Sequence, residues 1–169
     1  MQVSIATTAE DHRIARLAAF AIGLSVAEAV IPSPLPGVKP GLANIVTLVV
    51  LQQLGLRAAI WVSLLRVVAG SLVLGTFLSP SFVLSMSGAL ASLAVLAGLR
   101  FLPGRWFGPV TLSVAAAYAH IAGQLAVVYL WLMPHVGLLY FVPVFAAAAL
   151  LFGTVNGLAA ARLMEGEGE

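Results

Sequence analysis

Cysteine is absent from the 169 residues, which excludes disulfides, thiolate metal sites and thiol catalysis. Asp11 is the only aspartate, so chemistry built on paired aspartates is missing as well. Charge is scarce: eight Lys and Arg against six Asp and Glu, 8% of the chain, for a net +2. Soluble domains carry about 25% charged and about 45–50% apolar residues. This chain is 62% hydrophobic, with a mean hydropathy of +1.09. A compact fold of ~150 residues leaves roughly a third of its surface exposed, so a single core could not hide that much apolar surface. An ordinary soluble enzyme, a disordered chain and a basic nucleic-acid binder are excluded. The solvent is lipid. No GxxxxGKS/T loop, HExxH or GxSxG turn occurs, and His12, His120 and His135 are scattered. The sequence thus predicts no catalytic residue, no metal, no cofactor and no nucleic-acid partner.

What is present is a series of apolar runs. Bounded by charges, prolines and glycines, they predict six membrane helices over 14–31, 41–55, 58–78, 82–99, 109–133 and 138–162. The second is short for a hydrocarbon core that needs about 20 residues, so it is expected to start late or be partly broken. The linker 32–37 holds three prolines and cannot be helical. The expected architecture is an all-α integral membrane protein, a six-transmembrane-helix bundle. Residues 1–12 and 164–169 form tails around a membrane domain at 13–163.

Six spans put both termini on one side. If that side is cytoplasmic, the inner segments hold Arg13, Arg16, Arg57, Arg100, Arg105 and Arg162, and the outer loops hold only Lys39. Trp61 and Trp106 then fall near the inner interface, and Tyr129, Trp131 and Tyr140 near the outer one. The expected location is the bacterial cytoplasmic (inner) membrane, multi-pass, with cytoplasmic termini. A rival reading takes Arg13, Arg16, the apolar run and Ala27-Glu28-Ala29 as a cleavable signal peptide. It would leave five spans.

Ionisable residues inside hydrocarbon cost about 2.5–3.5 kcal/mol on insertion scales and need a partner or a watery cavity. Arg66 falls near mid-membrane in the third span, and Glu28 near the outer end of the first. One reading makes them a structural pair or satisfies them by hydrogen bonds to backbone. The other has both facing an outward cavity and touching a ligand. Asn44 and Thr47 share a face of the second span, and His120 and Gln124 are one turn apart on the fifth. Lys39 sits at the outer mouth, and Thr76 adds a further polar group. The ligand-binding candidates are therefore Glu28, Lys39, Asn44, Arg66, His120 and Gln124, whereas Asn156 reads as interhelical glue. Ala15, Ala19, Gly23 and Ala27 recur every four residues as a smooth ridge, suited to packing within the bundle or to docking a partner helix. Ser71 and Gly75 make a weaker ridge on the third span.

Three stretches carry a family resemblance. Lys39-Pro-Gly-Leu-Ala-Asn-Ile-Val-Thr-Leu48, Leu65-Arg-Val-Val-Ala-Gly-Ser-Leu-Val-Leu-Gly-Thr-Phe-Leu-Ser-Pro80 and Ala119-His-Ile-Ala-Gly-Gln124 resemble the Gx transporter family, also called heptaprenyl diphosphate synthase component I. The likeness covers about residues 12–163. That family is similar to the substrate-binding S components of energy-coupling factor (ECF) transporters. The resemblance implies a six-helix bundle with an outer ligand pocket, capturing a vitamin- or quinone/flavin-related compound. It also implies a membrane coupling subunit with ATPases, met by the Ala15, Ala19 and Gly23 surface. The enzyme name fits poorly, because prenyl diphosphate synthesis holds magnesium with clustered carboxylates and Asp11 stands alone. The alternative is a non-catalytic membrane component associated with prenyl diphosphate synthesis or electron-transfer metabolism.

Overall fold

The computed structural model describes residues 7–30, 41–99, 101 and 107–166. Lys39, the linker 32–37, Arg100, Arg105, Trp106 and the tail end 167–169 lie outside the described residues. The rest is helical: α1 (Ala9–Val30), α2 (Ala43–Val73), α3 (Pro80–Leu99), α4 (Pro109–Val127) and α5 (Val142–Glu165), with no strand among the described residues. Four segments are long and apolar enough to cross a membrane: Ala43–Val73, Pro80–Leu99, Pro109–Leu132 and Val136–Glu165. Helix α1 is set apart from them by Glu10, Asp11, Arg13, Arg16 and Glu28. Its first turn is a capping box. Thr8 N–H and Oγ1 donate to Asp11 Oδ2, both at 2.8 Å, and Asp11 N–H donates back to Thr8 Oγ1 at 3.2 Å. These two donors hold the exposed Asp11 carboxyl below the usual carboxylate range, the backbone N–H most of all.

The second and third expected spans are the two halves of α2. At Gly55 the backbone takes φ 83° and ψ −179°, a region open essentially to glycine alone. The consequence is a reversal of the chain. In a straight helix Asn44 and Arg66 would stand roughly 33 Å apart at 1.5 Å per residue, yet both line one cavity. Val46 and Val50 from the first half, and Ala58, Ala59 and Val62 from the second, join Ala18 and Ala21 of α1 in a single buried cluster. At the Gly55 end, Arg13 Nη2 donates to Gln53 Oε1 at 2.8 Å. The third span closes at Val73, earlier than the expected residue 78.

A second cluster joins Leu48 to Leu96, Leu112, Ala116 and Ala160, one layer towards the Gly55 end from the cavity. The exposed Arg13, Arg16, Arg57 and Arg162 therefore gather at the end away from it. Helix α4 continues into a π-helical turn, Val128–Leu132, before Pro134, and a 3-10 helix, Val136–Phe141, leads into α5.

In lipid, close backbone approach takes over much of the role that hydrophobic burial plays in water. Here glycine supplies it. A Cβ built on Gly157 would stand 2.6 Å from Val110 Cα, and one on Gly153 would stand 2.9 Å from Val114 Cα, so α5 lies directly on the backbone of α4. Between α3 and α4, a Cβ on Gly123 would meet the Ser87 carbonyl oxygen at 2.8 Å. The Gly153–Gly157 pair, four apart on the last helix, is the ridge that seats α5 on α4. The sequence reading singled out a different one: Ala15, Ala19, Gly23 and Ala27 all face outward, and nothing lies within 4 Å of a Cβ at Gly23. Packing within the bundle is thereby corrected for these four positions. The buried face of α1 is Ala18, Ala21 and Glu28.

Candidate functional site

The two halves of α2 hold α1 on one flank, and α3, α4 and α5 pack together on the other. A partly open cavity of about 310 Å³ lies between these flanks. That volume is at the low end of the range for small-molecule sites. Glu28 on α1, Asn44 and Arg66 on the two halves of α2, and His120 and Gln124 on α4 all line it. Thr76, just past α2, lines it too. Depth and helical phase were the sequence signals for these residues, and five of the six ligand-binding candidates converge. The sixth, Lys39, is outside the described residues.

The carboxylate of Glu28 does not pair with Arg66. Its Oε1 accepts the backbone N–H groups of Gly41 and Leu42, the latter at 3.0 Å. These N–H groups precede α2, so Glu28 holds the entrance of that helix against the end of α1. A carboxylate is well suited there, since the first N–H groups of a helix lack intrahelical acceptors and carry partial positive charge. Among the described residues no ion pair joins Glu28 to Arg66, although each is within the other's electrostatic reach. Of the structural reading, the direct ion pair is not found among the described residues, whereas hydrogen bonds to backbone are what Glu28 makes. Arg66 is 8% exposed, and its Nε has no hydrogen-bond partner.

His120 is seated by Gly88, where a Cβ would come within 2.6 Å of the ring Nε2. Its Nδ1 is buried without a partner. Asn156 proves to be both glue and lining: Nδ2 donates to the Gly41 carbonyl at 3.2 Å, tying α5 to the start of α2, and the residue faces the cavity. Sequence reasoning missed Ser81 and Ser85, which also line it. Their spacing of four, the same as that of His120 and Gln124, was the available signal. The aromatic walls Phe82, Phe145 and Phe152 carried none, because apolar residues fill every span.

Below this cavity Asn44, Thr47, Ser92, Ser113 and Asn156 surround a second space of about 20 Å³, the room of roughly one water molecule. Thr47 Oγ1 is buried there without a hydrogen-bond partner. Replacing Thr47 with the near-isosteric Val removes that unmet hydroxyl and should stabilise the fold by about 1 kcal/mol. A measured loss of that size in detergent unfolding would instead show that the hydroxyl bonds through a bound water. Among the described residues no group of three or more His, Asp or Glu is gathered as metal ligands.

No curated protein and no solved structure matches the chain. A family model does, over residues 17–163, a stretch that contains every described residue of the cavity and both glycines of the α4–α5 contact. This helical membrane protein belongs to the heptaprenyl diphosphate synthase component I family.

Proposed function

We propose that the chain is a membrane-embedded, non-catalytic subunit that binds a small molecule for uptake, in the manner of an ECF S component. One observation carries the reading: Glu28, Asn44, Arg66, His120 and Gln124 come from three helices to one cavity. Isolated interhelical glue has no need to converge. Counting α1 and each half of α2 as a span gives a membrane domain of six, at 13–163, with both termini at the arginine-bearing end. Positive residues favour the cytoplasmic side, which turns the cavity outward from a bacterial inner membrane. A cysteine introduced near position 37 should therefore be labelled by an impermeant reagent from outside. Because the chain has no cysteine of its own, labelling only from the cytoplasm would refute the topology.

The exposed Ala15, Ala19 and Gly23 face supports docking to a membrane coupling subunit with ATPases, since small residues let a partner backbone approach closely. Ala19→Leu should abolish copurification with that partner and leave the thermal unfolding of the isolated protein within about 0.5 kcal/mol, as for an exposed site. The function itself is tested by incubating the purified protein with cell extract and identifying what it retains by mass spectrometry. A single small molecule, saturable and lost in cavity variants, is expected. A second reading, a membrane component associated with prenyl diphosphate synthesis or electron-transfer metabolism, rests on the family's name. A cavity that retains nothing, together with copurification of a prenyl synthase, would favour it.

A further inference from the structure

We infer that the cavity selects a small organic oxyanion, a carboxylate or phosphate head on a compact apolar body, with Arg66 as the residue that fixes the head group. The inference rests on the uptake reading and narrows its substrate class.

Arg66 is nine-tenths buried, lines the cavity, and keeps Nε without a partner. A guanidinium presents five donors in a planar fork that matches an oxyanion with two parallel hydrogen bonds. Among the described residues Glu28 makes no ion pair with Arg66; its Oε1 is held by the Gly41 and Leu42 N–H groups. His120, whose Nδ1 is also buried without a partner, lines the opposite flank of the same cavity. The other described walls are neutral: Asn44 and Gln124 carry amides, and Phe82, Phe145 and Phe152 offer apolar surface. A cation would meet a single carboxylate among the described lining residues, Glu28, and would stand against the charge of Arg66. A neutral amide could use the side-chain amides but would leave the arginine fork unmatched. An oxyanion answers Arg66, and the phenylalanines suit a body about the size of one ring.

The test uses the full chain in nanodiscs and three probes sharing one ring: 4-fluorobenzoate, 4-fluorophenyl phosphate and 4-fluorobenzamide, followed by fluorine NMR. At least one of the two anions is expected to bind tenfold or more tightly than the amide, and the tighter of them identifies the head group. That preference should vanish in Arg66→Gln and partly survive in Arg66→Lys. Should Arg66→Gln fail to fold, the Glu28→Gln, Arg66→Gln double variant removes both charges together and must show the same loss. Equal binding of anions and amide, an anion preference that survives removal of Arg66, or no binding of either anion would overturn the inference. Retention of a neutral molecule from cell extract would also overturn it while leaving the uptake reading intact. Retention of nothing from extract, with anion binding still dependent on Arg66, would remove the uptake reading alone.

Discussion

Gly157→Ala is expected to lower stability by about 3 kcal/mol, the upper part of the usual range for overpacking. The added methyl would stand 2.6 Å from Val110 Cα, 3.0 Å from Ser113 Cβ and 3.2 Å from the Pro109 carbonyl oxygen. Two of those three atoms are backbone, so no side chain can swing aside, and α5 must lift from α4. Helix α5 also carries Asn156, whose amide holds Gly41, and the cavity should therefore loosen along with the helix pair. Gly98→Ala is the control. It sits in α3 with nothing within 4 Å of a Cβ, and there alanine should gain about 0.5–1 kcal/mol through helix propensity alone. Denaturant titration of both variants in one micelle system measures the difference. Equal effects at the two sites would mean that the α4–α5 contact is looser than the backbone spacing implies.

Glu28→Ala should be at least as damaging, at about 3–5 kcal/mol, the scale of stranding a buried charge. Two losses combine. The N–H groups of Gly41 and Leu42 lose their acceptor, and Arg66 loses the one carboxylate within its electrostatic reach. Substitutions separate these contributions. Glu28→Gln keeps an oxygen for the backbone N–H groups and removes only the charge, so it should cost less than Glu28→Ala. Adding Arg66→Leu to Glu28→Ala should recover the electrostatic part and leave the unmet N–H groups, a residual of about 1–3 kcal/mol. If Arg66→Leu recovers nothing in the Glu28→Ala background, the two charges are independent, and Glu28 serves only the entrance of α2.

The identity of the solvent, the helical class and the family were legible in the sequence. Composition alone leaves lipid as the only medium for 62% hydrophobic residues. The depth of Arg66 and the one-turn spacing of His120 and Gln124 pointed to residues that line the cavity, because an uninterrupted helix fixes both depth and phase. What the tertiary structure decided was which groups meet. The break between the expected spans 41–55 and 58–78 was legible as well; what only the structure shows is that Gly55 alone makes the reversal, through its backbone angles, and that Arg66 and Asn44 then line the same cavity. The two small-residue ridges are equally plausible on a helical wheel. Gly153 and Gly157 became the internal one because α4 presents its backbone to them, and the Ala15, Ala19 and Gly23 ridge stayed outside because α1 turns Ala18 and Ala21 inward. The partner of Glu28 likewise could not be read from charge. Backbone N–H groups carry no signature in a sequence, and the carboxylate reaches them only once the end of α1 and the start of α2 lie side by side.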